Sequence, residues 1–521
     1  MDSQIMTSTA LQNDLILREI MSHLRDLSGQ PIRVLRDKKA ISTLAGCARV
    51  CKEFEVHALN ALWWHMDTLM PLLQLLGSSL IATPAAEGST LTVKTLLLPI
   101  REHEWLRLLS YARRIRRLLV IDVDFEHVDP TVWMTLAAHS GGTPLLSNLA
   151  HLQWVHSIKS ATLNVIYITP PAIRTLDAIY IPPRGMHQDQ SLVTRSEVVF
   201  QNMVHILASR ATKIRELVFR VSHTCILESI DRFHSVHRLL IDAAKAGPLS
   251  RTFIEKIGSL PQLRVLLLDL PVRTIAHSTP AGFPALRDVT LKGSPGSIDH
   301  LLSAMLGTHL TMVDLIFKDI DESELSYISN LLYKLRDCGN SSIEFISLKA
   351  IPRDFPKTMY EFKDVLKPLL ALRRILRADI ELHFKMAMNV QDVHDMAVAW
   401  PSLIKLNLFY VEDGQPLPPI SCLSTFAKHC LNLRTLELPG LQDCETDLAT
   451  LAGSPHPLSR IFMAKQFVPS EKLARFLFAL FPRLETNVAP SHGPQWRETL
   501  ETLAALQAGA RNGSNGEDGE T

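Results

Sequence analysis

The run His103-Glu104-Trp105-Leu106-Arg107 begins as a zinc-binding helix would, with a histidine followed by a carboxylate, but the second histidine one turn on is missing. His151 and His156 bracket Trp154 with no Cys or carboxylate cluster beside them, too few ligands for a tetrahedral metal site. Cys47 and Cys51 lie one helical turn apart, a spacing at which two thiols can share a metal or oxidise; the competing reading is a pair of core thiols. A thiol nucleophile would also need a basic pocket to lower its pKa, which spacing does not supply. The chain has no GxxxxGK[ST] or GxGxxG phosphate loop and no GxSxG elbow. Gly293-Ser294-Pro295-Gly296 follows a strand-like run and reads as a turn. The sequence therefore offers no constellation for an enzyme and calls for no cofactor. The chemistry left is burial of apolar surface, for which the Leu62-Trp63 pair closing residues 45–66 is the best anchor.

The elements that would position these residues repeat. From about 93 to 490 an apolar residue is followed three places later by another and then, two places on, by a third. Examples are Leu263/Leu266/Leu268, Leu286/Val289/Leu291, Leu403/Leu406/Leu408 and Leu433/Leu436/Leu438. From Val236 onward successive starts are 23 to 33 residues apart. Several units open on a bulky apolar residue and Pro, as in Leu260-Pro261, Phe283-Pro284, Trp400-Pro401 and Phe481-Pro482. Proline stops a helix and pushes the residue before it toward extended geometry, so each such pair marks a helix ending and a strand beginning. The segments upstream (298–306, 322–335, 360–372, 393–400, 423–430 and 473–481) carry helical apolar spacing. Alternating helix and short strand predicts parallel neighbouring strands. The period is that of leucine-rich repeats, so the expected fold class is α/β: a small helical domain followed by an irregular solenoid, a curved parallel sheet with helices outside.

Composition sets the limits. The chain has 521 residues, 46% hydrophobic and 21% charged, with a net charge of +1. It is too long for one ordinary core unless the core is extended by repetition. The balanced charge argues against a nucleic-acid or membrane surface as the main partner, and no apolar run approaches a spanning helix. Seven scattered cysteines without a CxxC pair, and an N-terminus without a basic, apolar leader, predict a cytoplasmic or nuclear protein without a disulfide framework. The expected domains are a disordered 1–10, a helical domain over 11–76, a Gly/Ser/Thr-rich linker over 77–92, the repeat region over 93–490 and a flexible acidic tail over 491–521, with a short helix at 494–506 before its end.

In the helical domain, residues 12–24 carry an apolar stripe at Ile16, Leu17, Ile20, Met21 and Leu24, and residues 45–66 read as two short helices. The run Ile16-Leu17-x-Glu19-Ile20-Met21-Ser22-His23-Leu24, then Val50-Cys51-Lys52 with Phe54, then Ala58-Leu59 and Leu62-Trp63, resembles an F-box. The Asp67-x-Leu69-x-Pro71 continuation makes the whole most similar to F-box proteins abundant in mushroom-forming fungi. The Leu-Pro that usually opens the family is replaced by Gln12-Asn13, and the connection over 25–40 is longer and more basic than usual. The resemblance implies docking to the Skp adaptor of a cullin ubiquitin ligase through Ile16, Leu17, Ile20, Leu24, Val50, Cys51, Phe54, Leu59, Leu62 and Trp63, with Cys51 at the family's buried cysteine. The repeats would present a target protein, and the chain itself would catalyse nothing. The alternative is a leucine-rich-repeat interaction scaffold without a ubiquitin role, in which Trp63 and Trp64 only cap the first repeat.

Which face would meet a target follows from strand alternation. Lys405 and Asn407 share one face of their strand, and Thr435 and Glu437 the same face of the next. Parallel neighbours stand about 4.8 Å apart, so these four would form a polar ladder. The loops expected at 182–196 and 412–419 are the other candidates.

Overall fold

The computed structural model describes residues 13–26, 38–84, 92–97, 99–121, 128–156, 165–180, 190–221, 227–244, 249–271, 282–305, 308–321, 324–337, 342–354, 358–412, 417–443, 456–486 and 494–514. The chain divides into two compact units. The first holds residues 1–246 with 260–263, and the second holds 247–259 with 264–521.

The first unit opens with a three-helix head: α1 (Asp14–Asp26), α2 (Lys38–Cys47) and α3 (Lys52–Trp63). Asn13, at one of the two positions where Leu-Pro was expected, caps α1. Its Oδ1 accepts from the Leu15 and Ile16 amides at 3.0 and 3.4 Å, satisfying donors the helix leaves unpaired. Met21, Leu44, Ala58 and Ala61 form the head's core, with Leu24, Cys47, Ala48, Phe54 and Leu62 packed around it.

After the head come β1 (His65–Met66), β2 (Leu80–Pro84), β3 (Thr92–Leu96), α4 (Glu102–Ala112), β4 (Arg117–Ile121), α5 (Pro130–His139), β5 (His151–His156), β6 (Thr175–Tyr180), α6 (Gln190–Arg210), β7 (Glu216–Arg220) and β8 (Arg238–Asp242). β1, β4, β5, β6, β7 and β8 pair in that order, all parallel. The linker expected over 77–92 is corrected in its first part, up to Pro84, while 85–91 lie outside the described residues. A 3-10 turn (Gln74–Ser79) leads into β2, which pairs antiparallel with β3. Thr83, Thr92, Val93 and Thr95 supply the β-branched content that favours a ribbon over a flexible connection. Residues 190–196, expected in a loop, are the first turns of α6.

The second unit runs α7 (Arg251–Gly258), β9 (Val265–Asp269), β10 (Asp288–Gly293), α8 (Pro295–Ala304), β11 (Met312–Ile320), α9 (Leu325–Asp337), β12 (Phe345–Pro352), β13 (Tyr360–Glu361), β14 (Arg377–Ala387), α10 (Val390–Ala399), β15 (Lys405–Val411), α11 (Cys422–His429), β16 (Thr435–Gln442), β17 (Arg460–Phe467), α12 (Ser470–Leu480) and α13 (Pro494–Ser514). β9 through β12 and β14 through β17 pair in parallel, with register shifts between Phe317 and Ile320 and between Leu382 and Lys385, while β13 pairs with the far end of β14. Each unit is thus an α/β parallel ladder of the leucine-rich-repeat type.

The repeat leucines are the core. Leu266, Leu291, Leu406 and Leu436 are fully buried, and burial alternates with partial exposure along β9, β10 and β15. Removing one such side chain from water stabilises the fold by roughly 1.5–3 kcal/mol. Helices α10 and α12 end at Ala399 and Leu480, two residues before Pro401 and Pro482, and Trp400 and Phe481 close their last turns through amide bonds to the carbonyls of Met396 and Leu477. The 360–372 segment is not one helix. A two-residue strand, a four-residue helix and a 3-10 turn carrying Pro368 occupy it. The Gly293–Gly296 segment is a strand-to-helix junction, in which Ser294 caps α8 and Pro295 starts it.

The end of the chain is a second correction. Pro494–Ser514 is a 21-residue helix whose Trp496, Leu500 and Leu503 are buried, and Gln507 Nε2 donates to the carbonyls of Pro482 and Leu484. It covers the last repeat. The disorder expected over 1–10, the acidic stretch at 515–521, Gln12, most of the 25–40 connection, and the loop residues 182–189 and 413–416 lie outside the described residues.

Candidate functional site

Two surfaces match the residues singled out in the sequence: the head and the strand ladder of the second unit. On α1, Leu17 and Met21 point inward, while Ile16 and Ile20, one turn apart on the flank of that stripe, are 41% and 42% exposed. Val50, between α2 and α3, is 67% exposed. Leu15 and Val56 add to them, so five of the fifteen exposed large hydrophobics among the described residues fall within 13–56. Ile16 and Ile20, adjacent on one helix face, are the pair that a partner could cover together.

The other expected docking residues are used elsewhere. Leu17 is buried, and Leu24, Phe54 and Leu62 pack on the head's core. Leu59 is half-buried. Trp63, expected as an exposed hot spot, is half-buried against the first repeat instead: its ring centroid lies 4.7 Å from that of Tyr111 on α4, tilted by 51°. Arg114, just past α4, donates to the Val56 carbonyl and to Asn60 Oδ1, holding the same junction from the other side. Arg25 stacks on the Trp64 ring, 4.5 Å from its centroid. Cys51, expected in the core, is exposed because it precedes α3 in extended geometry. His57 Nε2 reaches Asp14 Oδ1 at 2.8 Å, tying the start of α1 to α3.

The ladder has the expected register. Lys405 faces Thr435 and Asn407 faces Glu437 across β15 and β16. Asn407 Nδ2 donates to Asp379 Oδ1 at 2.7 Å, and Lys405 Nζ lies 3.9 Å from Glu437 Oε1. Further along, Glu381 accepts from Lys349 at 2.6 Å and meets His383 Nε2 at 2.7 Å. Burial pushes the Glu381 carboxyl up, but the Lys349 and His383 bonds outweigh it and the net direction is down. Much of the ladder's polarity is therefore satisfied internally. Partly exposed Met312, Phe345 and Phe409 interleave with it, giving a mixed polar and apolar face.

The histidine and carboxylate motifs serve the fold. Glu104 is buried and accepts from Ser79 Oγ at 2.5 Å and from the Ser78 amide at 3.1 Å, pinning the 3-10 turn before β2. The Ser79 bond is the main cause that lowers its pKa, against burial. Gly77 sits in the left-handed region at φ +54, and a Cβ there would stand 2.7 Å from Glu104 Oε1, so only glycine fits that turn. His156 Nε2 is 2.9 Å from Ser196 Oγ, a base–nucleophile spacing, yet both residues are buried beside Trp154, Tyr180 and Phe200. No group of three or more His, Cys, Asp or Glu among the described residues is placed to hold a metal, and no described helix is long and apolar enough to cross a membrane.

No protein-family model matches the sequence, and no curated protein matches it. Among solved structures, an internalin from Listeria monocytogenes is similar over 66% of this chain and 81% of its own, at 13% identity and a TM-score of 0.34. An overlap that loose carries no argument about what this chain does.

Proposed function

We propose that the chain is the target-recognition subunit of a Skp–cullin–F-box ubiquitin ligase of the cytoplasm or nucleus, with the head docking the Skp adaptor and the repeats holding a target protein. The observation that carries this reading is the exposed Ile16, Ile20 and Val50, which sit at positions where the sequence resembles an F-box while the head builds its core from other residues. Trp63 supports a narrower docking surface than the resemblance implies, since its ring lies on Tyr111. The same contact favours the second reading, a repeat-type interaction scaffold whose head is an N-terminal cap.

The two readings part on one experiment. Ile16→Asp with Ile20→Asp places charge on the exposed flank of α1 without touching Leu17 or Met21. Co-purification with the Skp adaptor should succeed for the native chain and fail for this variant, while its circular dichroism stays unchanged. Adaptor retention at the native level in the variant, or no adaptor binding by the native chain, leaves the scaffold reading standing.

A further inference from the structure

The net charge of +1 conceals an uneven distribution. In the first unit, each of the strands β4 to β8 is entered through the residue just after a buried apolar side chain: Ile115, Leu149, Ile173, Ile214 and Val236 are buried, and Arg116, Ala150, Arg174, Arg215 and His237 follow them. Backbone bonds join these entry residues from strand to strand, each amide donating to the preceding carbonyl. Ala150 bonds Arg116 at 2.8 Å, Arg174 bonds Ala150 at 2.9 Å, Arg215 bonds Arg174 at 2.8 Å and His237 bonds Arg215 at 2.8 Å. The next position along the strands, in direct register, holds Arg117, His151, Thr175, Glu216 and Arg238. Five arginines thus occupy two adjacent rows at one edge of the ladder, with a single carboxylate among them.

Arg117, Arg174, Arg215 and Arg238 are exposed. The first three have no carboxylate partner among the described residues, and Arg238 shares Glu216 at 3.6 Å. His151 stands in the second row, beside Arg117. Burial pushes its imidazole below the ordinary value, Arg117 and Arg174 add to that, and Glu216 opposes them. The second unit dilutes the same pattern, because its entry positions run Arg264, Arg287, Thr311, Glu344, Leu376, Ile404, Arg434 and Ser459, with three uncharged residues and a carboxylate between Arg287 and Arg434.

We propose that this arginine edge is a binding site for an extended, carboxylate-rich segment of a partner protein. Guanidinium forks pair bidentately with carboxylates. From β4 to β8 the edge spans four interstrand steps, about 19 Å at 4.8 Å each, which matches about six residues of extended chain. A single-stranded nucleic acid is the less suited occupant: such sites interleave cations with exposed aromatic platforms, and here Trp154 and Tyr180 are buried under the sheet face. The site stands whether or not the head docks an adaptor.

The test is fluorescence polarisation of the full chain at low ionic strength with a labelled oligo-glutamate of about six residues, beside an oligothymidylate of equal charge. Oligo-glutamate should bind the native chain more tightly than oligothymidylate does. Arg174→Glu with Arg215→Glu should weaken oligo-glutamate binding at least about tenfold, since like charges then face each other. Lys428→Glu, an exposed control on α11, should leave it unchanged. If the charge reversal alters the circular dichroism spectrum, Arg174→Gln with Arg215→Gln replaces it and should still weaken binding severalfold. No binding by the native chain, tighter binding of oligothymidylate, or an equal loss in Lys428→Glu would overturn the proposal.

Discussion

Trp63 and Tyr111 provide the sharpest way to ask whether the head is an independent module or part of the repeat ladder. Their ring centroids are 4.7 Å apart at 51°, inside the range in which aromatic pairs attract. Pairs of this kind contribute about 0.5–1.5 kcal/mol beyond the area they bury. The perturbation is a double-mutant cycle of Trp63→Leu, Tyr111→Leu and both together. Leucine keeps much of the apolar volume, so each single variant should lose mainly the ring–ring contact. Because the chain has two units, one global unfolding transition would not isolate the junction. Native-state amide exchange does so, through the opening free energy of α3 read separately from that of β4. The coupling between the two substitutions in α3 opening should be about 0.5–1.5 kcal/mol. Additivity within about 0.3 kcal/mol would show that the rings touch without holding the head, and the cap reading would lose its support.

Two further outcomes follow from packing and charge. Leu436→Ala, at a fully buried strand position, should cost about 2–5 kcal/mol and expose β15, β16 and β17 to proteolysis before β9 and β10, because repeat units support mainly their neighbours; simultaneous loss of every strand of the second unit would contradict that. The lowered folded-state pKa of Glu104 means that its stabilisation is present above the unfolded value and lost as pH falls through the folded one, so Glu104→Gln should flatten the acid limb of the amide-exchange protection of β2 and β3, and an acid limb unchanged by the substitution would refute the assignment.

Much of the repeat region could be read from the chain because its signal is redundant. The leucine triplets recur, each places its first and second residues in the core, and the prolines after Trp400 and Phe481 stop their helices where expected. The helix at 494–514 also left a trace, since Trp496, Leu500 and Leu503 fall at four- and three-residue spacing, but the Gly- and Asn-rich composition beyond it favoured a tail. The described ends of the 77–92 segment, which enter β2 and β3, were misread for a related reason. Composition pointed to a linker, whereas alternation across Thr92-Val93-Lys94-Thr95-Leu96 carried the strand. The burial of one side of Trp63 depends on where α3 ends relative to α4, a tertiary fact that no local pattern contains, and the exposure of Cys51 follows from its place just before α3 begins.

The arginine edge shows why a charge total is a poor guide to partners. Arg116, Arg174 and Arg215 each follow an apolar residue that the repeat pattern already explains, and 58 residues separate Arg116 from Arg174 in the chain. Only parallel pairing converts that distance into two interstrand steps, about 10 Å. A repeat fold amplifies small biases of this kind, because any residue preference at one repeat position becomes a continuous stripe. The strand ladder of the second unit is the contrasting case. Lys349 with Glu381, and Lys405 with Glu437, place opposite charges on neighbouring strands, so that stripe largely neutralises itself. Of the two surfaces, the edge whose charges remain uncompensated is the one with electrostatic free energy left to give to a partner, and the self-paired ladder must first lose contacts before it can make new ones.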